Sequence, residues 1–145
     1  MVVIQNIIND ATLDQEKLKL ACQQFMKEFG VADRELVIRL VSPREIQVLN
    51  KEYRAKNQVT NVLSFTSDIP LEIGESILGD VVICVDVVRE EAELGSKAFS
   101  DHLIHITIHG ILHLLGYDHD NLSSAKKMEE IEIEFLKKIG VDNPY

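Results

Sequence analysis

Apolar positions along the chain switch between a two-residue and a 3.6-residue period, and each switch marks a new element. Residues 2–8 are rich in β-branched side chains and predict a strand. Thr12-Leu13-Asp14-Gln15 has the form of a capping box. It opens a helix whose apolar face is Leu18, Ala21, Cys22, Phe25, Met26 and Phe29, with Gly30 as its stop. Residues 35–41 predict a second strand. Ser42-Pro43-Arg44-Glu45 then combines an N-cap serine, a proline at the first helical position and an acidic third residue. That start predicts a short helix burying Ile46, Leu49 and Tyr53. Strands follow at 60–66 and 78–85, with a loop over 67–76 that carries Pro70 and Gly74. Asp86 is the expected cap of a helix ending near Gly95. Ser100 is expected to open a helix that runs to Gly116 and is apolar almost all round, the pattern of a helix in the middle of a domain. A last helix from Ser123 or Ser124 buries Met128, Ile131, Phe135 and Leu136 and stops at Gly140.

The order β-α-β-α-β-β-α-α-α predicts an α+β fold, a small mixed four-stranded sheet with about five helices around a buried, histidine-bearing helix. No repeat, low-complexity tract or linker interrupts residues 1–145, so a single catalytic domain is expected. The length suits one domain with a real core, and 46% apolar with 27% charged residues excludes a disordered chain, a collagen repeat and a disulfide scaffold. Cys22 and Cys84 lie far apart with no CxxC spacing and read as reduced thiols. The N-terminus has no basic signal-peptide region, and no apolar run approaches the roughly 18–20 residues of a membrane helix. A cytoplasmic location with no membrane partner is the expectation.

All five histidines fall between positions 102 and 119. His102, His105, His109 and His113 lie on the apolar helix within an arc of about 80° at 3.6 residues per turn. His109 and His113, at i and i+4, can aim two imidazoles at one point. Gly116 is placed to end the helix and let the chain bring His119 back. His-x3-His-x2-Gly-x2-His is the ligand spacing of metzincin zinc sites. Hydrogen-bonded core histidines are the plainer reading of any one of these residues, but three at this spacing point to a metal. Three imidazoles suit one zinc ion and leave a fourth position open, the mark of a catalytic rather than a purely structural site. Where HExxH enzymes place a general-base glutamate this chain has Gly110, so the site reads as hydrolytic but not proteolytic.

The stretch His109-Gly110-Ile111-Leu112-His113-Leu114-Leu115-Gly116-Tyr117-Asp118-His119 closely resembles the signature of the bacterial YbeY endoribonucleases. Tyr53-Arg54-Ala55-Lys56 with Thr60-Asn61-Val62-Leu63-Ser64-Phe65 resembles that family's second motif, and Leu78-Gly79-Asp80 a third. Ala55 departs from a frequent family glycine. The resemblance covers essentially the whole chain. It implies a zincin-like α+β domain and a zinc-dependent endoribonuclease specific for single-stranded RNA. Such an enzyme would act in 16S rRNA 3′-end maturation and ribosome quality control, with the small ribosomal subunit and its assembly proteins as partners and no role on DNA. By the same resemblance His109, His113 and His119 are the metal ligands, and Arg54 is the catalytic arginine.

An RNA role must be reconciled with a net charge of −9 and a pI near 5.0, which call for a local basic patch. Residues 34–56 offer one: Arg34, Arg39, Arg44, Lys51, Arg54 and Lys56 against Glu35, Glu45 and Glu52, a net +3. A solvated helix face is the alternative. The acidic stretches 89–93 and 129–134 are expected to face away from RNA. Eight aromatics and no tryptophan give no long stacking platform, so RNA contact should be short and electrostatic. His105 reads equally as a group behind the site or as core, and His102 as structural. Asp118 reads as an orienting carboxylate or a turn residue, and Asp80 as a support for the site or a strand start. Asn61 and Ser64 read as substrate contacts or as organisers of their strand. Two rival classes remain, a zincin-like metallopeptidase and a non-enzymatic ribosome-assembly module that uses zinc only to fold.

Overall fold

The computed structural model describes residues 1–67 and 76–145. Its elements in chain order are β1 (Val2–Asn6), α1 (Gln15–Glu28), β2 (Glu35–Val41), α2 (Pro43–Arg54), β3 (Val62–Thr66), β4 (Ile77–Cys84), α3 (Val85–Leu94), α4 (Phe99–Leu114) and α5 (Leu122–Lys138). This is the α+β order that the periodicity predicts. The sheet runs β1-β2-β4-β3. β1, β2 and β4 are parallel, and β3 is antiparallel to β4, with Ser64 opposite Val81 and Phe65 opposite Asp80.

Alternation along the strands divides the core in two. Leu36, Ile38, Leu40, Val81 and Ile83 join the larger cluster with α1, α3, α4 and α5. Val41, Leu63, Val82 and Cys84 form the smaller cluster under Ile46 of α2. α4 carries eleven buried residues, from His102 to Leu114, which explains why its sequence is apolar all round. Its Gly110 lies against the sheet where an added Cβ would come within 2.7 Å of Val81 Cγ1 and 3.2 Å of Ser64 Oγ. Glycine is what lets the helix approach β3 and β4 so closely, and Ser64 Oγ donates to the Gly110 carbonyl at 2.8 Å across that contact.

The starts of α1, α3, α4 and α5 differ from expectation, and at α1 and α4 a distant partner engages the expected capping side chain. Asp14, not Thr12, caps α1 and accepts from the Lys17 N–H. The Thr12 hydroxyl is engaged with Asp10, and Arg89 of α3 binds both residues. β4 runs directly into α3, so Cys84 is its N-cap and Asp86 only an acidic residue in the first turn. α4 begins after Ala98 rather than at Ser100, whose hydroxyl accepts from Lys17 Nζ. α5 is capped by Asn121 in a capping box with Ser124. β1 ends at Asn6 rather than at residue 8, and β3 begins at Val62 rather than at residue 60. Tyr53 is not buried: it is 61% exposed, and Asn50 holds the inward position one turn earlier. Of the loop expected over 67–76, residues 68–75 lie outside the described residues. Cys22 and Cys84 are free and buried, and burial pushes the Cys22 thiol up to about 12.

Candidate metal centre

His109 and His113 stand one turn apart on α4, and their Nε2 atoms converge to 3.2 Å. After the helix the Tyr117 N–H returns to the Leu112 carbonyl, and Gly116 turns the chain at φ +96°, a left-handed conformation that favours glycine. The turn brings His119 back. Its ring stacks at 5.6 Å on His109 and meets His113 edge-on at 5.0 Å. One ligand nitrogen from each of the three lies within 4.8 Å of the others.

Glu132 stands behind this triad, fully buried on α5. Its Oε1 lies 2.8 Å from His109 Nδ1 and 3.2 Å from His105 Nε2, while the Tyr145 hydroxyl donates to Oε2 at 2.7 Å. Burial by itself would push this carboxyl up, but the hydrogen bonds from His105, His109 and Tyr145 outweigh it and hold the group at about 2. An ionised carboxylate only accepts, so His109 carries a proton on Nδ1 and its Nε2 is the nitrogen that faces His113. Burial, and then the nearby His109 and His119, keep His113 below the usual histidine range and favour its neutral form. A metal requires neutral imidazoles with converging lone pairs, and the Nε2 atoms of His109 and His113 already converge. Two nitrogens on a tetrahedral zinc with bonds of 2.0–2.1 Å would lie about 3.3 Å apart, close to the 3.2 Å between His109 and His113. The donor set fits a metal ion.

The histidines open into a cleft of about 820 Å³ whose walls also include Arg54, Tyr53, Phe65, Arg39 and Asp80. Arg54 ends α2, just before Ala55 turns the chain at φ 57° in the left-handed conformation that a glycine would adopt without strain. The Arg54 side chain is exposed but anchored: Nη2 donates to the Ser64 carbonyl at 2.7 Å, and the guanidinium lies 5.2 Å from the Phe65 ring centre. Of the six cations in residues 34–56, Arg39 and Arg54 line the cleft, whereas Arg34 is bonded to Ser76 and to the Ile77 carbonyl.

The weaker candidates resolve individually. His105 joins the buried layer behind the triad through Glu132. His102 bonds Glu91 at 3.0 Å, and Asn61 donates to both oxygens of the same Glu91, tying β3 to α3 and α4. Ser64 is spent on Gly110. Asp118 accepts from the Asp120 N–H, a turn contact. Asp80 faces the cleft. Glu132 is the residue that sequence reasoning missed, because it lies in the acidic stretch 129–134 that is expected to face away from RNA. Its signal was positional: it lies four residues after Met128 and four before Leu136, on the apolar stripe of α5.

The family model described as Endoribonuclease YbeY matches residues 3–140. A curated Endoribonuclease YbeY of Ruthia magnifica subsp. Calyptogena magnifica is 52% identical over 145 residues, covering all of both chains. That of Vesicomyosocius okutanii subsp. Calyptogena okutanii is 50% identical over the same span. The solution structure of TM1509 from Thermotoga maritima superposes with a TM-score of 0.67 at 30% identity, covering 96% of this chain and 89% of that one.

Proposed function

The chain belongs to the Endoribonuclease YbeY family, hydrolases that act on RNA, and on that premise we propose that it is a zinc-dependent endoribonuclease specific for single-stranded RNA. One zinc ion per chain is held by His109, His113 and His119. The enzyme acts in the cytoplasm on the 3′ end of 16S rRNA and in ribosome quality control, in contact with the small ribosomal subunit and its assembly proteins. The observation that carries this reading is the placement of an anchored arginine and the converging histidines in one cleft.

When bound, zinc supplies Lewis-acid stabilisation of charge on the phosphoryl group. The chain's own residues do the rest. Glu132 fixes the His109 tautomer. Burial favours the neutral form of His113. Arg54, held on the Ser64 carbonyl, presents its remaining N–H groups to a phosphate in a pre-set orientation. The test is metal content and cleavage of single-stranded RNA in the parent chain and in His113→Ala. The parent should hold one zinc and cut RNA, and the variant should lose both. Full cleavage by His113→Ala overturns the zinc reading. Peptide turnover without RNA cleavage would indicate the peptidase, and metal-dependent folding without any cleavage the assembly module.

A further inference from the structure

We infer that Tyr53 is the seat for one unstacked nucleobase beside the phosphate held by Arg54. The inference rests on the endoribonuclease reading and adds to it the part of the cleft that distinguishes single strands. Pattern alone would put Tyr53 in the core with Ile46 and Leu49, yet it is 61% exposed on the wall of the cleft. Among the described residues no hydrogen bond is made by its hydroxyl. The ring is nevertheless held, edge-on to Phe65 with centroids 5.3 Å apart and planes at 69°. Phe65 also underlies the Arg54 guanidinium, at 5.2 Å. An aromatic surface and a phosphate-binding fork thus share one footing, the Phe65 ring.

A steadied ring with a free surface in a wet cleft suits a flat, partly apolar ligand, and every nucleobase has such a face. A paired base is already stacked on both sides and unavailable, so a seat of this kind admits single strands and rejects duplexes. The neighbouring Asn61 Nδ2 is committed to Glu91 and does not donate to a base edge.

The chain contains no tryptophan, so Tyr53→Trp places one indole at the seat. Stopped-flow mixing of the zinc-loaded variant with a single-stranded RNA oligonucleotide should quench its fluorescence, and a duplex of the same sequence should not. Tyr53→Leu should raise KM for single-stranded RNA by about tenfold to a hundredfold, the range for loss of one base–aromatic stack. That loss should fall on KM rather than kcat, with zinc content and melting temperature held. Tyr53→Phe keeps the ring and should recover most of the affinity. An unchanged KM in Tyr53→Leu, or an indole unquenched by RNA that the same protein cleaves, overturns the seat while leaving the enzyme reading intact. A parent chain that cleaves no RNA overturns the enzyme reading itself, and the seat falls with it if the indole is also unquenched.

Discussion

Glu132 shows how much one buried carboxylate can decide. It touches His105, His109 and Tyr145 at once, and only its contact with His109 reaches the triad. Glu132→Gln keeps the volume and an accepting oxygen but removes the charge that fixes the imidazole. Its zinc dissociation constant should rise about tenfold to a hundredfold, the usual cost of losing a partner behind a metal ligand. Competition with a chromophoric chelator measures this, and an unchanged constant would mean that α4 alone orients His109. Arg54 is a different case, because its side chain is exposed and carries little of the core. Arg54→Ala should slow RNA cleavage by about 10²–10³, the scale of losing one pre-set donor to a developing charge. Zinc content and melting temperature should stay level. Arg54→Lys should recover only part of the rate, since a point charge cannot reproduce the planar fork. Intact cleavage in Arg54→Ala would remove the phosphate role.

At the scale of the element, α4 and its close seat on the sheet govern the site. Gly110 occupies the place of the HExxH glutamate, but its Cα faces Val81 and Ser64, so the position has no room for a side chain. Gly110→Ala should destabilise the fold by about 1–3 kcal/mol through overpacking, read from denaturant titration. Gly110→Glu should be worse, and should yield an unstable protein rather than a peptidase. A Gly110→Ala protein as stable as the parent would show that Val81 gives way easily. Element identity was legible throughout because each helix or strand repeats its period over many residues. Starts were less legible, because a cap is one side chain whose freedom depends on distant partners. Thr12 has the right chemistry to cap α1, but Asp10 and the far-off Arg89 occupy it.

For the whole molecule, pH should act through the buried His102. Burial holds His102 below the usual histidine range, against the opposing pull of Glu91. A histidine with a depressed native pKa contributes stability that is full above its unfolded value, near 6.5, and is lost as pH falls from there. Zinc-free protein should therefore melt at lower temperature as pH drops from 7.5 to 5.5, with a slope of at most about 1.4 kcal/mol per pH unit from this group. His102→Gln should flatten that slope in a series of thermal melts, and a slope unaffected by the change would assign it elsewhere. What the sequence determined by itself was the order of elements and the candidate ligands. Those follow from periodicity and from fixed spacing along one helix, which are local properties: i and i+4 must share a face wherever the helix lies. Tertiary structure alone decided that Glu132 turns inward to His109, that Tyr53 turns outward, and that Arg54 meets the triad in one cleft. These join residues 23 to 65 positions apart, through the packing of α5 on α4 and of α2 beside β3, and no local period encodes such a meeting.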